Sequence, residues 1–380
     1  MAIKVLTIFG TRPEAIKMAP VVQALKKDPR FENRLCVTAQ HRSMLDQVLD
    51  LFQITPDHDL NLMKQNQDLY DITSNILIKL RDVLKQEKPD CILVHGDTTT
   101  TLAASLSGFY AQIPIGHIEA GLRTGDIFSP FPEEANRSLT SKLARWHFAP
   151  TEQNRKNLLA ENISPDRIFV SGNTVIDALL WVRTHVNNMP EDHWQSFWKT
   201  TLPGVDLSQT PLILITGHRR ENFGQGFVEI CDALSTIAQK HPNWHLVYPV
   251  HLNPNVQKPV YERLANKPNI HLIDPLDYPT FVYLMDRVRF LLTDSGGVQE
   301  EAPALKKPVL VMRDKTERME AVTAGTVRLV GTNREKIIQE TEKLITDQTH
   351  YAKMANASNP YGDGSATKKI LSNLAQEFHL

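Results

Sequence analysis

Short apolar runs rich in β-branched residues alternate with longer amphipathic segments along this whole chain, and no other feature narrows its fold as far. In the first half, residues 5–9, 34–38, 91–95, 115–118, 146–149 and 167–170 read as strands. Helical periodicity fills 15–27 and 69–87 between them. Strands that are apolar on both faces and separated by helix-length segments belong to parallel βαβ units. The series stops in a polar stretch, 187–210, which holds Met189-Pro190-Glu191-Asp192 and Pro203-Gly204. It then restarts at 212–216, 245–249, 270–273, 290–293, 309–312 and 327–329. The pattern predicts an α/β protein of two Rossmann-like doubly wound domains facing each other across a cleft. A length of 380 residues agrees with two domains of ordinary size.

The first domain is expected to span 1–172 and the second 173–365. A helix over 175–186 leads from one to the other, and a last amphipathic helix, within 366–380, packs back on the first domain. The Gly172-Asn173-Thr174 segment and the return of the chain before that helix are the expected hinges. Ligands of open parallel sheets bind beyond the carboxyl ends of the strands, so the chemistry is sought immediately after strands.

Composition removes several classes of function. Forty-two Lys and Arg face 43 Asp and Glu, a net charge of −1, which gives no basic field for nucleic acid or anionic lipid. Cys36, Cys91 and Cys231 lie far apart without a C-x-x-C, which argues against a disulfide framework or a zinc knuckle and suits a reducing compartment. The apolar N-terminal run is too short for a signal peptide, and nothing approaches the ~20 apolar residues of a membrane span. A cytoplasmic protein is expected, without a metal site or a bound cofactor. His241 and His245 stand four apart, but Pro242 and Asn243 between them mark a loop and not a metal-binding helix face.

The unusual residues fall where the fold would use them. Gly10-Thr11-Arg12-Pro13-Glu14 follows the first strand, with Lys17 one turn into the helix. Arg12 and Lys17 there can meet an anion, or can be solvated charges on a generic turn. Asp97 follows a wholly apolar strand and can act chemically or merely cap the next helix. Glu119 ends the following strand, an unfavourable setting for a carboxylate unless it is paired or used. Glu133 and Glu134 open a helix whose dipole favours them, with Arg137 one turn beyond Glu133. In the second domain, His218, Arg219 and Arg220 crowd one loop after a strand, as a diphosphate would require. The segment Thr293-Asp294-Ser295-Gly296-Gly297 runs from strand to helix and offers backbone N–H groups to a phosphate, with Glu301 placed for ribose hydroxyls. It is neither a P-loop nor G-x-G-x-x-G, so neither ATP nor NAD is indicated. His251 reads by itself as a core or turn histidine.

The blocks FGTRPEAIKMAP, TAQHR, HGDTTTT, PEEANR, SGNTVIDAL, TGHRREN, YPVHLNP, LTDSGGVQEEAP and NPYGDG run from end to end of the chain. Through them it resembles the non-hydrolysing bacterial UDP-N-acetylglucosamine 2-epimerases, of the two-Rossmann-domain GT-B superfamily. The resemblance implies interconversion of UDP-N-acetylglucosamine and UDP-N-acetylmannosamine by elimination of UDP, through an enzyme-bound 2-acetamidoglucal, and its re-addition. It implies that Asp97, Glu119 and Glu133 are the acid–base and charge-stabilising carboxylates, and that Arg137 and His218 serve the leaving UDP. Arg12, Lys17, Ser295, Gly296, Gly297, Glu301 and Arg318 match the nucleotide shell, and Leu276 and Phe281 its uracil side. Gln40, Arg219 and His251 match a second UDP-N-acetylglucosamine site that activates some members. The loop 64–67 differs from the arginine-bearing version of Gram-positive relatives. Family members are homodimers and supply a sugar for surface polysaccharide. One departure stands at Arg313–Glu320, where Lys315 and Met319 replace the family's usual Thr and Pro. The alternatives are a hydrolysing epimerase that releases N-acetylmannosamine and UDP, a GT-B glycosyltransferase, and a nucleotide-sugar-binding regulator without the three carboxylates.

Overall fold

The computed structural model describes residues 2–39, 42–63 and 67–379. Two compact units emerge, one of Met1–Ala178 with Tyr361–Leu380 and the other of Leu179–Pro360. The chain leaves the first unit within a helix and returns at Tyr361.

The first unit is built from β1 (Ile3–Phe9), β2 (Phe31–Val37), β3 (His58–Asp59), β4 (Cys91–His95), β5 (Ile115–Ile118), β6 (Trp146–Ala149) and β7 (Ile168–Val170). Helices α1 (Arg12–Lys27), α2 (Arg42–Leu51), α3 (Leu69–Glu87), α4 (Thr99–Tyr110), α5 (Glu133–Leu143) and α6 (Glu152–Ala160) connect them, and α7 (Thr174–Asn187) carries the chain onward. The sheet is parallel, in the order β3-β2-β1-β4-β5-β6-β7. Every residue of β4 is buried, which is why that strand reads as an unbroken apolar run. Helix α1 starts on a capping box in which Thr11 and Glu14 satisfy each other's backbone N–H groups. Leu6, Ile8, Ile92 and Val94 from the strands meet Ile76, Leu80 and Leu84 of α3 in one core cluster.

The second unit opens on the part of α7 from Leu179 onward, followed by α8 (Glu191–Thr201). It continues with β8 (Leu212–Thr216), α9 (Gln225–Lys240), β9 (His245–Pro249), α10 (Pro254–Leu264), β10 (Ile270–Ile273), α11 (Tyr278–Arg287) and β11 (Phe290–Thr293). The short α12 (Gly296–Glu301), β12 (Val309–Val311), α13 (Met319–Ala324), β13 (Val327–Leu329), α14 (Arg334–Thr346) and α15 (Gln348–Ala355) complete it. Its parallel sheet runs β10-β9-β8-β11-β12-β13. Both sheets therefore show the expected Rossmann-like winding, with order reversing between β1 and β4 and again between β8 and β11.

The stretch 187–210, read above as a polar interruption, contains α8. Its Trp194 and Trp198 are both buried, and Trp194 stacks on Tyr283 of α11 with centroids 4.0 Å apart. Two tryptophans four residues apart supply an apolar face that the surrounding polar residues conceal from a composition reading. Strand β3 leaves no signal in the sequence, because its two polar residues carry no periodicity. Back in the first unit, α16 (Ala366–Glu377) packs on α1, and Glu377 accepts a 2.7 Å hydrogen bond from the Trp146 indole.

Candidate functional site

In the first unit the loops after β1, β4 and β5 meet at the strand carboxyl ends. Glu14, 2% exposed, ties two of them together. Its carboxylate accepts N–H bonds from Gly10 at 3.1 Å and Thr11 at 2.8 Å, and hydroxyl bonds from Thr98 at 2.7 Å and Thr101 at 3.2 Å. Burial raises its pKa against the opposing hydrogen bonds of Thr98, Thr11 and Gly10. Gly10 leaves no room for a side chain, since a Cβ would lie 2.0 Å from Thr38 Oγ1. Glu14 thereby holds the loop after β4, a role visible only in the fold.

Asp97 accepts a 2.8 Å bond from Arg137, and Asn136 of the same helix donates to the Asp97 carbonyl at 2.9 Å. Arg137, 5% exposed, also meets Glu134 at 3.2 Å. It thus pairs with Asp97 and Glu134, while Glu133 has no hydrogen bond or ion pair among the described residues. Burial raises the Asp97 pKa; Arg137 opposes that shift, and Glu119 and Glu133 add to it. Glu119 and Glu133 thus both act on Asp97, which is drawn toward its neutral form.

Glu119 sits directly after β5 in the left-handed region, with φ of 62°. Such a backbone costs a non-glycine residue on the order of 1–2 kcal/mol and persists where surrounding contacts enforce it. Lys17 forms an ion pair with its carboxylate, Asn173 donates to it at 2.9 Å, and His95 Nε2 stands 3.8 Å away. Burial holds His95 down to about 4, so the ring is neutral. Arg12 is exposed at the start of α1. Gln40 and the loop residues 64–66 lie outside the described residues.

In the second unit the loops after β8 and β11 are locked by Asp294, which is fully buried. Its Oδ2 accepts the backbone N–H groups of His218 and Arg219, both at 2.8 Å, and the Asn222 amide at 3.3 Å. His218 Nδ1 lies 3.6 Å from the other oxygen, and burial lowers the imidazole pKa more than Asp294 restores it. The His251 ring stacks on His218 with centroids 5.4 Å apart. In the sequence Asp294 is marked only by its adjacency to the glycines.

Gly296 opens α12 beneath Arg318. A Cβ there would fall 2.8 Å from the guanidinium carbon. Arg318 is held by Glu300 at 2.9 Å and Glu317 at 3.2 Å. Glu301, 7% exposed, accepts a 2.6 Å bond from the Tyr278 hydroxyl. Ser295 is half-buried, Gly297 is exposed, and Leu276 and Phe281 are half-buried at the start of α11 and in its first turns. Of the departing pair, Lys315 and Met319 are both exposed. Among the described residues no group of three or more His, Cys, Asp or Glu is arranged to hold a metal ion, and no helix is long and apolar enough to cross a membrane.

One parallel sheet ends in carboxylates paired with Arg137 and Lys17, the other in a glycine loop beside Arg318. The model of a family described as UDP-N-acetylglucosamine 2-epimerase matches residues 23–375. The UDP-N-acetylglucosamine 2-epimerase of Escherichia coli K12 is 60% identical over 371 residues, covering 98% of each chain. That of Yersinia pestis is 61% identical with the same coverage. A crystal structure of UDP-GlcNAc 2-epimerase from Neisseria meningitidis bound to UDP-GlcNAc superposes with a TM-score of 0.88 at 54% identity, covering 98% of this chain and 100% of that one. The chain belongs to the UDP-N-acetylglucosamine 2-epimerase family.

Proposed function

We propose that this protein interconverts UDP-N-acetylglucosamine and UDP-N-acetylmannosamine without releasing the sugar. UDP leaves by anti elimination across C1–C2, a 2-acetamidoglucal stays bound, and UDP adds back with the C2 proton on the opposite face. The observation that carries this reading is the carboxylate group after β4 and β5 with its unequal environments. Asp97 is drawn toward its protonated form, Glu119 is paired with a lysine, and Glu133 is unpaired among the described residues. A proton must leave C2 on one face and arrive on the other, so groups of differing acidity suit the task. C1–O cleavage builds positive charge on the sugar, which the same carboxylates stabilise.

Arg137 and His218 are assigned to the departing UDP, and Arg12, Lys17, Ser295, Gly296, Gly297, Glu301 and Arg318 to its phosphates and ribose, with Leu276 and Phe281 beside uracil. Cations and backbone N–H groups suffice for a diphosphate, so the reading uses no metal. Arg219 and His251, with Gln40, are assigned to an activating UDP-N-acetylglucosamine site. The protein is taken to be cytoplasmic and homodimeric, supplying N-acetylmannosamine for surface polysaccharide. Exposed Ile78 of α3, Phe109 and Tyr110 of α4 and Leu139 of α5, with α4 touching both of the other helices, offer apolar surface for self-association.

Proton NMR of UDP-N-acetylglucosamine with the enzyme in D₂O tests the reaction. The expected product is UDP-N-acetylmannosamine carrying deuterium at C2. One free N-acetylmannosamine per UDP would instead establish the hydrolysing reaction. Retention of the original C2 hydrogen would defeat both and reopen a glycosyltransferase.

A further inference from the structure

Asn173 occupies a position that neither the nucleotide nor the sugar assignments use. It is 4% exposed, directly before α7, and each of its polar groups is engaged. Its side-chain Nδ2 donates to Glu119 Oε2 at 2.9 Å, and its Oδ1 accepts the Val175 N–H at 3.0 Å at the start of α7. Its backbone N–H donates to the Tyr361 carbonyl at 2.8 Å, where the chain returns to this unit. Gly172 beside it has φ of +91°, and a Cβ there would come within 3.2 Å of that same carbonyl. Farther along α7, Asp177 accepts the N–H groups of Ala366 at 3.2 Å and Thr367 at 2.9 Å, which secures the start of α16. The outgoing and returning segments are thus fastened together at Gly172–Asn173 and Tyr361, and one side chain at that junction reaches the carboxylate after β5.

We propose that Asn173 is a positioning residue for Glu119, through which the junction where the chain leaves and re-enters the first unit sets the orientation of that carboxylate. The proposal rests on the epimerase reading for its kinetic consequence, but its physical core is the contact itself. Glu119 is held in a left-handed backbone that its own residue type disfavours, so its orientation depends on the groups that clasp it. Lys17 supplies charge without directional geometry, and neutral His95 stands beyond hydrogen-bond distance. The Asn173 amide is a planar, directional donor, and its hydrogen bond ties the carboxylate to the chain crossing. A shift of ~1 Å in a reacting group costs about 10²-fold in rate, so a change at this junction is transmitted to turnover through one hydrogen bond.

Two replacements separate this role from simple helix capping. Asn173→Asp and Asn173→Ser both keep an oxygen that accepts the Val175 N–H, and both lose the amide donor. The full-length variants should lose about 10²-fold in kcat while KM stays within about threefold. Wild-type kcat in both variants would overturn the proposal and leave Asn173 as a helix cap. A second measurement does not depend on turnover. In Asn173→Asp combined with Glu119→Gln the donor and acceptor exchange places, so the pair can re-form. The double variant should melt above Asn173→Asp alone. Additive losses of Tm would overturn the contact even if the wild-type protein showed no epimerase activity, an outcome that would by itself defeat the functional reading.

Discussion

Replacing Arg137 by Met keeps most of the apolar stem and removes the charge, so it isolates what the guanidinium does between Asp97 and Glu134. The arginine is 5% exposed and the Glu134 side chain 4%, whereas the Asp97 side chain is 31% exposed. Breaking a buried ion pair by removing one partner costs about 3–5 kcal/mol, because the remaining charge is left uncompensated. Water reaches Asp97, and Glu134 still accepts the N–H groups of Thr124 and Gly125 at 3.0 and 3.2 Å, so the lower end, ~3 kcal/mol, applies. In a unit of roughly 200 residues that corresponds to a fall in Tm of about 6–12 °C.

The loss should also depend on pH. The folded pKa of Asp97 is already raised, and without Arg137 it rises further. A carboxyl whose folded pKa lies above its unfolded value opposes folding while ionised, and the opposition fades as pH falls through the folded value. Calorimetry should therefore find the largest difference between variant and wild type near neutral pH and a smaller one in mild acid. A deficit under about 2 °C, or one that is constant with pH, would refute the reasoning.

Asp97→Asn, Glu119→Gln and Glu133→Gln should each lower kcat by about 10²–10⁴-fold with UDP affinity little changed, as read by coupled NMR and calorimetry; three active variants would remove the catalytic assignment. Gly296→Val drives a branched side chain into the space of the Arg318 guanidinium and should abolish calorimetric UDP binding in a folded protein; unchanged affinity would eliminate this phosphate site. Burial holds His95 and His117 down to about 4 and His147 to about 3, from 6.5 when unfolded. Their contribution is complete above 6.5 and is lost as pH falls toward 4, by up to about 1.4 kcal/mol per pH unit for each ring. Urea unfolding with proton-uptake measurements should show this, with His147→Leu flattening the slope; an unchanged slope would count against the buried neutral rings.

The sheets were legible because parallel strands buried on both faces leave unbroken runs, as in Cys91–His95 and Leu212–Thr216, where strand limits read from sequence coincide with the structure. Helix α8 was not, since only Trp194 and Trp198 face the interior while Glu191, Asp192 and Gln195 dominate its composition. Residues with unusual chemistry after strands stood out, including Asp97, Glu119 and the Ser295–Gly297 loop. Their supports did not. Glu14 resembles any first-turn glutamate, Asn173 any residue at a turn, and Asp294 any acid at a strand end, because their importance lies in partners up to tens of residues away. One partner of Arg137 was likewise hidden: helical spacing reaches Glu133 and Glu134, of which the folded chain uses Glu134, but it gives no sign of Asp97, 40 positions earlier.

The discontinuity of the first unit has a consequence for how the protein comes into being. Ile370, Leu371 and Leu374 of α16 are buried, and Trp146 finds its indole partner only at Glu377. During synthesis the segment through Ala178 emerges first but cannot seal this surface until the last helix leaves the ribosome. The unit of Leu179–Pro360 is contiguous and can close as soon as its own residues are out. The half translated first is thus the half completed last, and until then it carries an uncovered apolar strip that a trigger-type chaperone could shield and a premature stop before Tyr361 would leave permanently open.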